Sequence, residues 1–113
     1  MSSSIISTIF IILLIPTFIY AANEKLPDGA IQAGSLANQK LQNDAQSGVI
    51  GKTVQLGCNK PETYHTYIAK RPKGKPGSRL WEEIWVVIGC DKKYPIHITF
   101  QEDGLNSATW FIK

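Results

Sequence analysis

The pattern of apolar and polar positions divides the chain into three parts. Residues 5–20 are almost wholly apolar, and residues 30–48 carry small and apolar side chains at roughly helical spacing. Beyond residue 49, β-branched and aromatic residues dominate and turn-forming residues separate the runs. These patterns predict an apolar leader, one helix and a set of strands. We therefore expect a signal peptide at 1–21, a linker at 22–29 and one domain at 30–113.

The apolar leader has the features of an export signal. Residues 1–21 contain no charged side chain. A signal-peptide core needs about 7–15 apolar residues, whereas a membrane-spanning helix needs about 20. Pro16 would end a helix shortly before Ala21 and Ala22, which suit a signal peptidase. Basic residues before the core are missing, so an uncleaved anchor stays open as the alternative. We expect a secreted or periplasmic protein with no membrane span after cleavage.

A weak apolar stripe predicts the helix. Ala33, Ala37, Leu41 and Ala45 recur at helical spacing among polar residues. Gly48 suits a helix stop, so the predicted helix covers about 31–47.

Alternating runs predict the strands, at about 50–57, 63–69, 80–89, 95–101 and 107–112. The connections between them are too short for parallel crossovers, which indicates an antiparallel meander. One helix followed by four or five antiparallel strands makes a two-layer α+β domain.

An internal similarity guides the placement of the two cysteines. Residues 54–68 and 86–100 align at an offset of 32, and each copy contains Gly-Cys, then Asn or Asp, then Lys. The similarity predicts a repeated hairpin whose two turns lie at one end of the sheet. In an exported protein this arrangement predicts a disulfide between Cys58 and Cys90.

A zinc site is the competing interpretation of the cysteines, since His65 and His97 each follow a cysteine by seven residues. The strand between would carry each imidazole roughly 10 Å away from its thiol. We therefore expect neither a metal nor another cofactor.

Alternation along the strands predicts two different faces. One is an apolar core face under the helix, carrying Ile84, Val86, Ile88, Ile96, Ile98, Phe100, Ala108, Trp110 and Ile112. The other is an open face with aromatic and polar residues, carrying Trp81, Glu83, Trp85, Val87, His97, Thr99, Gln101, Thr109 and Phe111.

Charge is concentrated in residues 70–79, which we call the basic arm. This stretch, KRPKGKPGSR, has five cations and no acid, in a chain of net charge +3. Its two Pro and two Gly favour a projecting loop over a regular element. A cationic arm attracts anionic partners, with a protein or another anionic ligand outside the cytoplasm as the expectation; nucleic acid fits by charge alone. The predicted binding residues are Lys70, Arg71, Lys73, Lys75, Arg79, Trp81 and Trp85.

Composition and motifs favour binding over catalysis. A charged fraction of 19% with eleven aromatic residues excludes a wholly disordered chain. Neither G-x-S-x-G nor H-E-x-x-H occurs. The leading hypothesis is therefore a small exported non-enzymatic binding protein, such as an inhibitor or an immunity-like protein.

Two other functions stay open. A secreted ribonuclease-like phosphodiesterase would use His65, Glu83 and His97 for proton transfer, with Arg71 or Arg79 on the phosphate. A structural accessory component of an envelope assembly would use the exposed edge of the fifth strand to extend a neighbouring sheet.

Overall fold

The computed structural model describes residues 25–113, so the expected signal peptide and the start of the linker lie outside the described residues. The domain has one helix and a five-stranded antiparallel sheet whose strands lie in chain order. This confirms the predicted α+β fold. The elements are β1 (Gln32–Ala33), α1 (Gln39–Gln55), β2 (Pro61–Lys73), β3 (Leu80–Gly89), β4 (Lys92–Glu102) and β5 (Ala108–Ile112).

Helix α1 begins at a side-chain cap. Asn38 is the N-cap residue, and its Oδ1 accepts a hydrogen bond of 2.9 Å from the Leu41 N–H. An asparagine here satisfies one of the backbone donors that the first helical turn leaves without a partner. The chain before the cap forms β1 instead, where Gln32 and Ala33 pair with Ile68 and Tyr67. This strand is too short for alternation to reveal, and the sequence analysis missed it.

The helix ends at Gln55, two residues before Gly57, and not at Gly48. Gly57 has a φ of 109°, the Gly57 N–H donates to Val54 O, and the Cys58 N–H donates to Thr53 O. These two bonds make a Schellman motif, which needs a residue that tolerates a left-handed backbone. The predicted strand at 50–57 is therefore wrong: these residues belong to the last turns of α1 and its cap. The repeated hairpin is wrong for the same reason.

An extended apolar stripe explains the greater length of α1. Leu41, Ala45, Val49 and Thr53 are the buried residues of the helix, one every four positions. They lie on the sheet together with Ala37, and the helix contacts β3, β4 and β5. The helix within residues 25–113 lacks the length and apolar character that crossing a membrane requires.

The face of β3 that meets the helix is opposite to the predicted one. Trp81 lies opposite Phe100, and Trp85 lies opposite Ile96. Directly opposed residues share a face, so the odd positions of β3 face the helix. Periodicity misleads here because residues 83–87 are all buried, on both faces. The assignments on β4 and β5 are correct. The core comprises Ala37, Leu41, Ala45, Val49, Trp81, Trp85, Val87, Ile96, Ile98 and Phe100.

The contact between α1 and β5 depends on Gly48, which gives the first testable prediction. A Cβ at Gly48 would overlap the Trp110 ring and lie 3.0 Å from Ile112 Cδ1. We expect Gly48→Ala to lower the free energy of unfolding by about 1–2 kcal/mol, because overpacking outweighs the better helix propensity of alanine. Urea denaturation measures the change.

Gly51 provides the matched control, because it lies in the same helix and a Cβ there meets nothing within 4 Å. We expect Gly51→Ala to raise the free energy of unfolding by about 0.5–1 kcal/mol. Equal effects at the two glycines would contradict the close packing of α1 on Trp110.

Candidate functional site

Two hairpin loops lie together at one end of the sheet, which we call the loop end. They are the β2–β3 loop, residues 74–79, and the β4–β5 loop, residues 103–107. Residues 70–73 of the basic arm, predicted to belong to a projecting loop, instead extend β2. An antiparallel meander places alternate turns at the same end. A Cβ built on Gly104 would lie 3.9 Å from Gly77 O, so the two loops are neighbours. The turn between β3 and β4 lies at the opposite end, which we call the disulfide end.

Glu102, the last residue of β4, holds the β2–β3 loop in place. Its Oε1 accepts hydrogen bonds from the Gly77 N–H (3.2 Å), the Arg79 N–H (2.8 Å) and Arg79 Nε (2.8 Å). Its Oε2 accepts from Arg79 Nη2 at 3.0 Å. This is the two-pronged guanidinium–carboxylate geometry, which fixes orientation better than a single contact does. The base of the basic arm is thus attached to the end of β4.

The ion pair between Arg79 and Glu102 is expected to keep the Glu102 carboxyl ionised at low pH. The Arg79 side-chain hydrogen bonds lower the pKa of Glu102 to about 2, and the backbone N–H of Arg79 adds to the effect. A depressed folded-state pKa stabilises the fold above the ordinary glutamate range, and this contribution is lost as the pH falls towards the folded-state value. We expect the Glu102 carboxyl NMR signal to titrate near pH 2, and at a higher pH in Arg79→Ala, where the backbone N–H groups of residues 77 and 79 still donate to the carboxylate. Titration at the ordinary value in both proteins would contradict the contact.

The ion pairs of the arm leave three of its cations for other contacts. Lys70 Nζ lies 2.9 Å from Glu82 Oε2, and Lys113 Nζ lies 3.3 Å from Glu82 Oε1. The hydrogen bond from Lys70, aided by Lys113, lowers the pKa of Glu82. Arg79 pairs with Glu102. The other three arm cations, all exposed, have no ion pair within residues 25–113: Arg71, Lys73 and Lys75.

An open groove of about 500 Å³ adjoins the arm at the loop end. It runs between the start of α1 and the β4–β5 loop, and Arg79 and Glu102 contribute to its wall. Two leucines line it with unusually exposed side chains: Leu36 is 47% exposed and Leu105 is 81% exposed. The loop end therefore combines cationic and apolar contact groups. Sequence analysis missed the groove because it forms between segments that are far apart in the chain.

Trp81 and Trp85 are almost completely buried, although Trp81 also contributes to the wall of the groove. Their exposures are 6% and 0%, and both lie in the core under α1. Trp85 stacks on Tyr64 with ring centroids 5.0 Å apart, and Trp81 stacks on Phe100 at 5.2 Å. The predicted aromatic binding face is thus corrected, because these indoles are covered by the protein itself.

Glu83 lies between the two tryptophans and is fully buried. Oε1 accepts from Ser35 Oγ (2.8 Å) and Trp85 Nε1 (2.9 Å). Oε2 accepts from the Leu36 N–H (2.9 Å) and Trp81 Nε1 (2.8 Å). Four donors thus satisfy the carboxylate and attach the chain between β1 and α1 to β3. The W-x-E-x-W spacing, which puts all three side chains on one face of a strand, is the sequence signal for this cluster.

The structure does not bring His65, Glu83 and His97 together. His65 lies opposite Val86 and His97 lies opposite Ile84, so both histidines are on the face away from α1. Glu83 is on the helix side with its oxygens occupied. The histidines are on β2 and β4, with β3 between them, which separates their backbones by about 10 Å. No shared proton-transfer site follows from this arrangement.

The predicted disulfide between Cys58 and Cys90 is confirmed, with Cα atoms 5.8 Å apart. It joins the end of α1 to the β3–β4 turn, where Cys90 and Asp91 have positive φ values of 53° and 58°. Placing Cys58 after the helix, not after a strand, brings the two residues within bridging distance. A disulfide indicates an oxidising environment outside the cytoplasm.

Within residues 25–113, no group of three His, Cys, Asp or Glu residues is arranged to hold a metal ion.

Comparisons with protein-family models, curated proteins and solved structures find no match to this chain.

Proposed function

We propose that this chain is a small exported, non-enzymatic binding protein whose basic arm contacts an acidic surface of a protein partner. The observation that carries the proposal is a set of three exposed arm cations that form no ion pair with any other described residue: Arg71, Lys73 and Lys75. Cations already paired with carboxylates would have to weaken those contacts in order to bind a partner. These three can form new charge-assisted contacts without breaking old ones.

The fixed base of the arm supports the same proposal. Arg79 and Glu102 hold the base of the arm against the end of β4, so part of the entropic cost of ordering the arm is met before a partner binds. Leu36 and Leu105 beside the arm supply apolar area that electrostatic contacts alone lack. A protein partner uses both kinds of group, which favours it over a simple polyanion. The signal-like leader and the disulfide favour a partner outside the cytoplasm.

A charge-removal experiment tests the arm. The disulfide-bonded protein is immobilised and exposed to the exported protein fraction of the source cells, and the retained proteins are quantified by mass spectrometry. We expect the triple variant Arg71→Ala, Lys73→Ala, Lys75→Ala to lose at least tenfold of the partner that the unchanged protein retains. We also expect retention to fall as salt rises, because exposed charges are screened.

Three lysines at the disulfide end provide a control with the same change in net charge. Lys60, Lys92 and Lys93 are exposed and lie at or near the β3–β4 turn. We expect their replacement by alanine to leave retention within twofold of the unchanged protein. Equal loss from both triple variants would show that retention depends on the net positive charge of the protein and not on the position of the arm. Full retention by the arm variant would contradict the proposal.

A further inference from the structure

The outer edge of β5 has no strand beside it within residues 25–113. The other edge of the sheet is protected: β1 covers part of β2, and the rest of β2 carries Glu62, Lys70, Arg71, Pro72 and Lys73. Charges and proline on an edge strand discourage pairing with another chain. Strand β5, with the sequence ATWFI, has no charge and no proline. Only the β5 edge is thus left unprotected in the described sheet.

The hydrogen bonds of β4 show which groups of β5 point outward. The Lys113 N–H donates to His97 O and the Asp103 N–H donates to Ser107 O. The odd-numbered residues of β4 and β5 therefore form the hydrogen bonds that join these two strands. The Glu102 N–H donates to Arg79 O, so even-numbered residues of β4 bond to β3. Antiparallel ladders alternate strictly. The backbone N–H and C=O groups of Ala108, Trp110 and Ile112 therefore point outward from the sheet.

We infer that a second copy of this chain pairs with this edge, joining two β5 strands antiparallel about a two-fold axis at Trp110. Residue 108 then lies opposite 112 of the second copy, and 110 lies opposite 110. Each outward group meets a complementary group, which gives six backbone hydrogen bonds in the alternation of an antiparallel ladder. A two-fold contact of this kind closes on itself and stops at the dimer.

Side chains on the face away from α1 fit the same register. Thr109 would lie opposite Phe111 of the second copy, in the closely spaced type of pair, and cover an aromatic ring that is now 58% exposed. Charge is complementary along the next row, because Lys113 of the second copy would lie opposite Ser107, which pairs with Asp103. The Lys113 ammonium, which contacts Glu82 of its own chain, would thus approach a second carboxylate. Lys113, Ser107 and Asp103 share a face, so an ammonium and a carboxylate approach across the new seam. Self-complementarity of shape and charge favours a second copy over an unrelated strand.

Sedimentation equilibrium over a concentration series tests the inference with paired charge variants of the disulfide-bonded protein. We expect a monomer–dimer equilibrium for the unchanged protein. Thr109→Glu with Phe111→Glu, and Thr109→Lys with Phe111→Lys, place like charges opposite each other twice and should each weaken the dimer at least tenfold. Thr109→Lys with Phe111→Glu places opposite charges together and should retain it.

Each outcome of this experiment bears on the inference. Thermal unfolding before centrifugation verifies that all three variants are folded, and the mixed-charge variant controls for loss of Phe111. A monomer at every concentration of the unchanged protein overturns the proposed pairing. So does a dimer that survives both like-charge variants, since another surface, such as the N-terminal segment, would then hold it. The basic arm takes no part in this contact, so failure here leaves the proposed function standing.

Discussion

Replacing Glu83 by glutamine is expected to lower the free energy of unfolding by about 2–4 kcal/mol, although the side chain keeps its size. The carboxylate accepts from four donors. An amide turns one acceptor into a donor. With the amide nitrogen at the Oε1 position, Ser35 Oγ can rotate to accept from it, but Trp85 Nε1 loses its partner. With the nitrogen at the Oε2 position, Trp81 Nε1 and the Leu36 N–H both lose theirs. A buried N–H without a partner is costly because water cannot replace the lost bond.

Urea denaturation followed by tryptophan fluorescence measures this loss. The adjacent Glu82 is the control: it is only partly buried and pairs with the exposed Lys70 and Lys113. Exposed ion pairs contribute little, so Glu82→Gln should cost less than about 1 kcal/mol. A Glu83→Gln protein as stable as the Glu82→Gln protein would show that the buried carboxylate does not hold the start of α1.

The second large effect is expected from the disulfide. Replacing Cys58 and Cys90 by alanine together should lower the free energy of unfolding by about 3–4 kcal/mol in the chain-entropy model. The bridge spans a sequence separation of 32 and restricts the unfolded chain accordingly. The disulfide matters because a domain of this size has a small hydrophobic core. Helix α1 packs on β3, β4 and β5, and the disulfide attaches the C-terminal end of α1 to the sheet.

Denaturation with and without dithiothreitol separates the bridge from the side chains. We expect the reductant to destabilise the unchanged protein by about the same amount and to leave the double-alanine variant unaffected. A double variant that loses less than about 1 kcal/mol would mean that packing alone holds α1 in place.

The four strands after residue 60 were predicted better than the helix because their ends carry stronger signals. Gly74, Pro76 and Gly77 in the basic arm, and Asp103-Gly104 before β5, mark turns that the fold uses as such, whereas Pro72 lies within β2. Gly48 is the contrasting case. It resembled a helix stop, but its value lies in the absence of a side chain next to Trp110. A tertiary contact of this kind has no signature in local sequence.

The candidate site was predicted in part, and the reason is again physical. The cations of the basic arm could be located because charge acts at the surface and needs no knowledge of packing. The tryptophans were misplaced because residues 83–87 are buried on both faces, which removes the alternation that identifies an exposed side. Glu83 was read as a potential acid or base, whereas its four donors make it part of the fold. The pairing of Lys70 and Arg79 with carboxylates depends on strand register, which the sequence alone does not specify.

The proposed partner contact would occupy the end of the molecule that the disulfide does not hold. The disulfide and the end of α1 stabilise one end of the sheet, whereas the other end presents Arg71 and Lys73 at the end of β2, Lys75 on the β2–β3 loop and Leu105 on the β4–β5 loop. Binding groups on loops supported by a rigid sheet are common, since loops accept variation that the core does not. The exposed edge of β5 runs between the two ends, so a dimer and a partner could be accommodated together.

Photo-crosslinking at single positions tests most directly which end meets the partner. A photoreactive amino acid replaces Lys75 at the loop end in one protein and Lys93 near the disulfide end in another, and both are irradiated in the source cells. We expect a covalent adduct with one protein from position 75, reduced when Arg71 and Lys73 are also replaced by alanine, and none from position 93. Adducts from position 93 without any from position 75 would contradict the assignment of the basic arm as the binding surface.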